Sequence, residues 1–343
     1  MSKRLRVLVV DDSAFARKIL RESLESEPSI EVVGIARDGL DALEKIAELK
    51  PDVVTLDLVM PNLDGLGVIQ ALPLGGHVPK VVVVSASDGE SELGIAALRA
   101  GAIELVHKPT AQATPRLADL RDELVAKVLI AGASRAPARL LEPASSSPPT
   151  PAIKTSRRIV VIGASTGGPQ ALTRLLRALP ANFPVPVALV LHIPIGYTQP
   201  FAQRLDADCA VHVVEASEGL VLTAGTVVVA RAGMHLAIEA AGDELRARLV
   251  FEPSSSPHRP SVNVLFESVR PLGAAVIAIV LTGMGDDGAA QAVELHERGA
   301  TVLTEAESSC VVYGMPRAVV ERGASTASAP IEEMAELLLR QLV

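Results

Sequence analysis

Acidic, basic and hydroxyl residues lie at the ends of several apolar runs in the first part of this sequence. Asp11 and Asp12 follow RVLVV, Asp57 follows DVVTL, and Ser85 and Lys108 end two later runs. Clustered carboxylates repel each other and take up protons unless a cation compensates them. Oxygen ligands suit Mg²⁺, and a nearby lysine and hydroxyl can stabilise a phosphoryl group on an aspartate. Singly, such aspartates are usually helix caps, but together the residues predict a phosphoryl site.

A second group of residues has the types that nucleophilic catalysis needs. Ser165 lies in GASTGG and fits the pattern G-x-S-x-G, a strand-to-helix turn that exposes a serine. His192 ends the run VPVALVLH, and Asp286 and Asp287 follow AAVIAIVLTGMG. A serine nucleophile needs an adjacent base, and the base needs a carboxylate that fixes its tautomer. The glycines at 283, 285 and 288 free nearby backbone N–H groups to bind an oxyanion.

Other interpretations of this second group are weaker. GASTGG could be a plain tight turn or a phosphate-binding loop, but its spacing is neither G-x-G-x-x-G nor a Walker loop. Cys310 is more readily a buried residue than a nucleophile. His296 lies in a helical run and is expected to be a solvated helix residue. The remaining histidines of this half show no zinc-ligand spacing; they are His212, His235 and His258.

The composition predicts two α/β domains that would position these groups. The 343 residues suggest two domains. With 49% hydrophobic residues, 2% aromatic residues and no Trp, the cores must consist of Val, Ala, Leu and Ile. Aliphatic strands with little alternation are typical of a parallel sheet covered on both faces. The composition therefore excludes a small disulfide scaffold and disfavours an aromatic-rich β-sandwich.

A stretch rich in Pro, Ser and Ala separates the two groups. It covers residues 132–156 and reads GASRAPARLLEPASSSPPTPAIKTS, which predicts a semi-extended linker rather than a loop inside one domain. We therefore expect a first domain over residues 1–131 and a second over residues 157–343.

Strand and helix patterns alternate through residues 1–131. Five strands are predicted at 6–10, 30–36, 52–58, 80–86 and 102–108, each followed by a helical pattern. A flavodoxin-like order 2-1-3-4-5 would bring the carboxyl ends of strands 1 and 3 together at the point where ligands bind. In the second domain, strands over 157–163, 185–192 and part of 274–288 predict another doubly wound, mostly parallel sheet of the hydrolase type.

Charge and cysteine content limit the functional class. Residues 132–158 carry five Lys and Arg against one Asp or Glu, whereas residues 159–343 carry 12 Arg, no Lys and 19 Asp and Glu. An acidic, lysine-free output domain disfavours nucleic-acid binding. The two cysteines, Cys209 and Cys310, cannot build a disulfide framework. Because neither a signal-peptide core nor a membrane span is recognisable, we expect a soluble cytoplasmic protein without membrane insertion.

The first domain resembles a two-component receiver domain. The matching stretches are VVDDS (9–13), DLVMPNLDG (57–65), VVSAS (83–87) and HKP (107–109). The resemblance implies that Asp57 accepts a phosphoryl group, that Asp11 and Asp12 help it to hold Mg²⁺, and that Ser85 and Lys108 sense the modification. Receivers often carry Phe or Tyr three residues before the lysine, where this chain has Leu105.

The second domain resembles the catalytic domain of the CheB family of chemotaxis protein-glutamate methylesterases. The shared blocks are IGASTGG (162–168), LHIP (191–194), PHRPSVNVLFESV (257–269), LTGMGDDGA (281–289) and SSCVVYGMPR (308–317). The resemblance implies Ser165 as nucleophile, His192 as general base and acid, Asp287 as orienting carboxylate, and the Met284 backbone N–H in the oxyanion hole. The family usually has Asn where this chain has Asp286, which leaves Asp286 as the alternative carboxylate.

These resemblances imply hydrolysis of glutamate γ-methyl esters on chemoreceptors, and deamidation of glutamine as a second reaction, under control of Asp57 phosphorylation by a histidine kinase. No cofactor is expected in the second domain. Phosphorylation is hypothesised to loosen a first-domain surface that covers the catalytic site. The alternatives are a receiver joined to a nucleotide-binding α/β enzyme, a non-catalytic adaptor for a receptor or kinase, and a DNA-binding regulator.

Overall fold

The computed structural model describes residues 4–73, 77–85, 91–108, 117–134, 158–253 and 256–342. The chain divides into two compact units, Met1–Leu140 and Leu141–Val343, which we describe separately. Most of the predicted linker, from residue 135 to residue 156, lies outside the described residues. The helix before it ends at Ala133, so it includes the first two residues assigned to the linker.

The first unit is a parallel sheet of five strands with helices between them, as predicted. In chain order the elements are β1 (Leu5–Val10), α1 (Ala14–Glu25), β2 (Ile30–Ala36), α2 (Gly39–Leu49), β3 (Val53–Leu56), α3 (Gly65–Ala71), β4 (Lys80–Ser85), α4 (Ser91–Ala100), β5 (Glu104–His107) and α5 (Leu117–Ala133). The strand order is β2-β1-β3-β4-β5, and each neighbouring pair is parallel. The flavodoxin-like order is therefore confirmed.

The packing of helices on both faces of this sheet follows from its buried aliphatic strands, and side-chain caps mark where the helices begin. The central strands β1 and β3 are almost fully buried, which requires helices on both faces. Helix α1 begins after Ser13, whose hydroxyl accepts a hydrogen bond from the Ala16 N–H, and α2 begins after Asp38, whose carboxylate accepts one from the Asp41 N–H. The strands consequently end at one edge of the sheet, where Asp11 and Asp57 follow them.

The second unit contains a parallel sheet of seven strands. Its elements are β6 (Ile159–Ala164), α6 (Gly168–Arg177), β7 (Val187–Leu191), α7 (Thr198–Asp208), β8 (His212–Glu215), β9 (Val221–Leu222), β10 (Thr226–Val229), β11 (His235–Ala241), β12 (Glu244–Val250), α8 (Val262–Val269), β13 (Val276–Val280), α9 (Ala289–Glu297), β14 (Thr301–Glu305), α10 (Met315–Glu321), β15 (Ala327–Ala329) and α11 (Ile331–Arg340). A 3₁₀ helix, Arg270–Ala275, precedes β13. The order is β15-β14-β13-β6-β7-β10-β8, which confirms the predicted doubly wound α/β class.

A separate antiparallel sheet, in the order β11-β12-β9, was not predicted. Its two longer strands form a hairpin that turns at Gly242, a residue with φ +60° that favours glycine. One face of the hairpin is buried and the other is exposed, and helix α8 packs against β11. The last strand of this sheet, β12, ends at Val250, shortly before the segment that leads into α8.

Close packing of β6 against α8 accounts for one glycine next to the predicted nucleophile. A Cβ atom on Gly163 would lie 2.4 Å from Cγ1 of Val262, closer than real Cβ contacts. The absence of a side chain at Gly163 therefore lets the first turn of α8 approach the end of β6. Phe266, one helical turn after Val262 on α8, is fully buried in the same core.

No helix in the described ranges is both long enough and apolar enough to cross a membrane.

Removal of the Phe266 ring should destabilise the second unit. Phe266→Ala removes a fully buried ring from an aliphatic core, so we expect a loss of about 3–5 kcal/mol in the free energy of unfolding. Because the chain has no Trp, urea unfolding is best followed by circular dichroism. Phe251→Ala is the matched control: the Phe251 side chain is exposed, and its removal should cost less than about 1 kcal/mol. Equal losses in the two variants would contradict the packing described here.

Candidate active site

Three neighbouring strands of the second unit bring Ser165, His192 and the 281–287 segment to one edge of the sheet. Ser165 directly follows β6 and His192 directly follows β7. The last residues of these strands, Ala164 and Leu191, are register partners, and the His192 N–H donates to the Ala164 carbonyl at 3.1 Å. On the other side of β6, the Leu281 N–H donates to the Gly163 carbonyl at 2.9 Å. Ser165, His192 and the 281–287 segment therefore lie next to one another because the strands that they follow are neighbours in the sheet.

The turn that carries Ser165 is held by its backbone. The Ser165 N–H donates to the Thr282 carbonyl at 3.0 Å, and the Ser165 carbonyl accepts from the Gly168 N–H at 2.6 Å. Gly167 has φ +80°, and a Cβ there would lie 2.5 Å from Cβ of Val311, so both conformation and space require glycine. Ser165 is half-buried and stands at the start of α6. The serine therefore lies in a strand-to-helix turn, as the sequence predicts, but it is half-buried rather than exposed.

His192 is hydrogen-bonded to Asp287, whose carboxylate is in turn fixed by three other donors. Nε2 of His192 lies 2.9 Å from Oδ2 of Asp287. The Val262 N–H donates to the same oxygen at 2.7 Å, while the Ser261 hydroxyl and the Asn263 N–H donate to Oδ1 at 2.9 and 3.0 Å. These donors limit the rotation of the carboxylate and therefore fix the orientation of the imidazole.

These interactions lower the pKa of Asp287. Burial raises the pKa of this carboxyl, but the hydrogen bond and charge of His192 and the N–H donors of Asn263 and Val262 outweigh burial and lower it from 3.8 to about 2. Asp287 is therefore ionised throughout the neutral range and can stabilise an imidazolium at His192.

Asp286, the alternative carboxylate, points elsewhere. Its Oδ2 accepts a hydrogen bond from Nη2 of Arg322 at 2.9 Å, and the side chain of Asp286 is exposed. Arg322 thereby offsets the additional negative charge next to the site. Asp287 is the carboxylate that lies within hydrogen-bond reach of His192.

The ring orientation of His192 identifies which nitrogen could act as a base. Because Nε2 faces the ionised Asp287, the proton belongs on Nε2 and the lone pair on Nδ1. Nδ1 is buried and has no hydrogen-bond partner in the described parts of the chain, so it is not hydrogen-bonded to the Ser165 hydroxyl. A nucleophile–base hydrogen bond often forms only when substrate is bound.

A network around Thr282 joins the serine turn to the predicted oxyanion donor. The Thr282 hydroxyl donates to the Thr166 carbonyl at 2.9 Å, and a Cβ on Gly283 would lie only 2.7 Å from Cβ of Ser165. The next residue is Met284, and no described residue accepts a hydrogen bond from its backbone N–H. This N–H is therefore available to an oxyanion near Ser165.

Glu305, at the end of β14, is a residue of the site that the sequence analysis did not identify. The Thr282 N–H donates to its Oε2 at 2.8 Å, and the Ser309 hydroxyl donates to its Oε1 at 2.9 Å. Burial raises the pKa of Glu305, and the donors from Thr282 and Ser309 lower it only in part. An acidic residue that ends an apolar strand, as in TVLTE, is the signal that could have indicated it.

Cys310 and His296 lie in the environments that the sequence analysis expected, whereas His258 contacts the site. Cys310 is buried, with Sγ 3.8 Å from the Glu305 carbonyl oxygen, and His296 is exposed on α9. His212 is bonded to Asp206 on an exposed strand end. The ring of His258 stacks on that of His192.

The first unit brings its acidic residues together at the carboxyl edge of its sheet. Carboxylate oxygens of Asp11, Asp12 and Asp57 all lie within 4.8 Å of one another, a separation that fits one divalent cation. Nζ of Lys108 lies 2.7 Å from Oδ2 of Asp57 and 3.0 Å from Oδ2 of Asp11. Ser85 is buried at the end of β4, and its carbonyl accepts from the Lys108 N–H at 2.8 Å.

Burial and charge together raise the pKa values of two groups in this cluster, Asp11 and Lys108. Burial raises the pKa of Asp11, and the hydrogen bond and charge of Lys108 offset burial only in part. Burial lowers the pKa of Lys108, but its hydrogen bonds and charge interactions with Asp57 and Asp11 raise it overall. Lys108 therefore remains a cation between two carboxylates, where it can contact a phosphoryl group on Asp57.

The position three residues before Lys108 has no aromatic switch. Leu105 is fully buried within β5, and its carbonyl accepts a hydrogen bond from Nζ of Lys127 at 2.6 Å. A buried aliphatic side chain in a strand cannot make the exposed-to-buried ring rotation that an aromatic residue makes.

The pKa of Asp287 predicts an acid-dependent loss of stability. The pKa of Asp287 is lower in the folded chain than the ordinary value of 3.8, so its contribution is complete above about pH 4 and is lost as the pH falls towards 2. The shift corresponds to about 2 kcal/mol. Between pH 5 and pH 2, the free energy of unfolding of the wild type should fall by about 2 kcal/mol more than that of Asp287→Asn. Parallel curves would show that the carboxylate is not stabilised as described.

Comparison with known proteins agrees with both units. Residues 160–338 match the family model of the CheB methylesterase, and residues 7–118 match that of the response regulator receiver domain. The chain is 60% identical to the "Protein-glutamate methylesterase/protein-glutamine glutaminase 5" of Myxococcus xanthus, over 98% of each chain. It is 41% identical to a protein-glutamate methylesterase/protein-glutamine glutaminase of Caldanaerobacter subterraneus, covering 100% of this chain and 98% of the relative.

A solved structure provides an independent comparison for the second unit. The CheB methylesterase catalytic domain of Thermotoga maritima is 36% identical and superposes with a TM-score of 0.53, covering 54% of this chain and 99% of that domain. With a receiver domain followed by a methylesterase domain, this chain belongs to the CheB family of protein-glutamate methylesterases.

Proposed function

We propose that this chain is a phosphorylation-controlled hydrolase that converts glutamate γ-methyl esters on receptor proteins to glutamate. The observation that carries the proposal is the pair of His192 and Asp287, with Asp287 fixed by three further donors at the sheet edge where Ser165 stands. The arrangement supplies a base with a defined tautomer next to a half-buried hydroxyl. The names of the relatives supply the substrate class.

Ester hydrolysis would proceed in two steps at Ser165. The hydroxyl oxygen attacks the γ-carbonyl carbon while Nδ1 of His192 takes its proton, and the Met284 N–H binds the oxyanion. Collapse of the tetrahedral intermediate breaks the bond to methoxide, which leaves as methanol with the proton from His192. Water then attacks the acyl-serine by the same route and releases glutamate. Asp287 orients the ring and stabilises the imidazolium in both steps.

Deamidation of glutamine would use the same residues. With an amide in place of the ester, the proton from His192 goes to the nitrogen, and ammonia leaves in place of methanol. The product is again glutamate. The second name that the relatives carry, protein-glutamine glutaminase, supports this reaction as a further activity of the chain.

In the first unit, we propose that Asp57 accepts a phosphoryl group from a phosphohistidine of a histidine kinase. A carboxylate oxygen of Asp57 would form the new bond to phosphorus as the bond to histidine nitrogen breaks. Asp11, Asp12 and Asp57 have the oxygen ligands and spacing that would hold Mg²⁺, which neutralises phosphate charge when bound. Lys108 and Ser85 would contact the phosphoryl oxygens and sense the modification.

The remaining assignments follow from this proposal. We infer a receiver over residues 1–131, a linker over 132–156 and the catalytic domain over 157–343. The substrates would be methylated chemoreceptors, reached from the cytoplasm, and neither nucleic acid nor membrane insertion is needed. The acidic, lysine-free sequence after residue 158 supports a protein substrate rather than nucleic acid.

Ser165→Ala should abolish ester hydrolysis. Removal of the nucleophile is expected to lower kcat by at least about 10³-fold, measured as methanol released from a methylated receptor domain. Ser217→Ala is the control, because Ser217 is an exposed serine of the same unit, and it should retain the wild-type rate. If Ser165→Ala hydrolysed the ester as fast as the wild type, the proposed chemistry would be wrong.

Asp57→Asn should make the esterase unresponsive to phosphorylation. With acetyl phosphate and Mg²⁺, the wild-type rate should rise several-fold, and EDTA should prevent the rise. Asp122→Asn, a change at an exposed aspartate of the same unit, should leave the rise intact. A wild type that does not respond, or an Asp57→Asn variant that does, would contradict control through this residue.

A further inference from the structure

The imidazole of His192 is stacked against a second histidine. The ring centroids of His192 and His258 lie 4.1 Å apart, and the ring planes are inclined by 21°. His258 is half-buried and belongs to residues 256–263, which we name the HRPS segment. Its ring covers one face of the imidazole, while Asp287 binds the Nε2 edge. His258 therefore restricts tilting of the His192 ring, and Asp287 restricts its rotation.

The HRPS segment is itself anchored next to the antiparallel sheet. The Ser261 N–H donates to Nδ1 of His235 at 3.2 Å, and Nε2 of His235 lies 3.3 Å from the Pro253 carbonyl oxygen. His235 is fully buried, and burial lowers its pKa even though the Pro253 carbonyl favours the proton. A neutral ring with its proton on Nε2 satisfies both contacts, so His235 fixes both ends of the chain around His258.

One segment therefore contacts both members of the His192–Asp287 pair. Its later residues, Ser261 to Asn263, donate three hydrogen bonds to the carboxylate of Asp287. Its earlier part places the ring of His258 on His192, and the Ser256 hydroxyl donates to the His258 carbonyl at 2.9 Å. The position of the stacked ring is consequently tied to the position of the carboxylate.

We propose that His258 is a positioning residue for the hydrolase reaction: its ring holds the His192 imidazole in the plane that keeps Nε2 on Asp287 and leaves Nδ1 to act as the base. This inference rests on the proposed function. Stacked aromatic rings prefer offset arrangements and contribute about 0.5–1.5 kcal/mol beyond the area that they bury. Without the second ring, the imidazole can tilt or exchange its nitrogens, and a base displaced by about 1 Å can lose a hundredfold in rate.

Three substitutions at His258 distinguish the effect of a stacked ring from the effect of side-chain volume. His258→Phe keeps a planar ring, His258→Leu keeps an apolar side chain without a ring, and His258→Ala removes both. We expect kcat for a methylated receptor domain to fall about 10- to 100-fold in Ala and Leu and by less than about threefold in Phe. KM should change by less than about threefold in all three. His296→Ala, at an exposed histidine of α9, should behave as the wild type.

The outcome is decisive even if one variant fails to fold. Circular dichroism of each full-length variant establishes whether it is folded. If His258→Ala is unfolded, His258→Phe is compared with His258→Leu instead. Wild-type kcat in a folded Leu or Ala variant would overturn the inference, as would an equal loss in folded Phe and Leu.

A measurement without substrate distinguishes this inference from the proposed function. Long-range ¹H–¹⁵N spectra of histidine-labelled protein report which nitrogen of His192 carries the proton. The wild type and His258→Phe should show the Nε2–H tautomer alone, and His258→Leu should show a mixture. If the wild type hydrolysed no ester, the proposed function would fail while these spectra still decided the role of His258. A single tautomer in all variants would overturn that role.

Discussion

The carboxylate of Asp287 is the group on which the arrangement of the candidate site depends. A buried carboxylate is costly unless each oxygen is hydrogen-bonded, and this one accepts from Ser261, Val262 and Asn263 as well as from His192. These donors come from the start of α8, so the helix, the turn after β13 and the end of β7 must converge on one point. The close approach of α8 to Gly163 serves the same convergence. The packing of α8 against β6 and the hydrogen bonding of the Asp287 carboxylate therefore depend on each other.

The two units solve similar electrostatic problems in different ways. In the first, carboxylates at strand ends are compensated by Lys108, whose charge lies between Asp57 and Asp11. In the second unit, which has no lysine within residues 159–343, Asp287 is compensated by the donors of the α8 start and by the imidazole of His192. A cluster that uses a permanent cation suits an anionic group such as phosphate. A carboxylate held by neutral donors suits a base that must cycle between neutral and charged forms.

Much of this arrangement is predictable from the sequence, because the predicted residues directly follow apolar runs. Alternation of strands and helices predicted the order β2-β1-β3-β4-β5, and the runs before Ser165 and His192 placed both residues at one sheet edge. The donors to Asp287 could not be predicted, because two of them are backbone N–H groups that any residue type supplies. The His258 stack and the contact of Glu305 with Thr282 depend on segments far apart in sequence. The antiparallel sheet was not predicted, although the alternation of charged and apolar residues in ELRARLV, over Glu244–Val250, could have indicated one of its strands.

The register of β6 and β7 has a consequence for mutational drift. Ser165 and His192 each follow one member of a register pair, Ala164 and Leu191, so the backbone hydrogen-bond ladder sets the spacing of their Cα atoms. Exchange of one aliphatic residue for another in the surrounding core changes side-chain volume but leaves that ladder intact. A one-residue insertion or deletion within either strand would shift the pairing and separate the two residues. A change of strand length at this edge should therefore disturb the site more than an exchange among Val, Ile and Leu in the same strands.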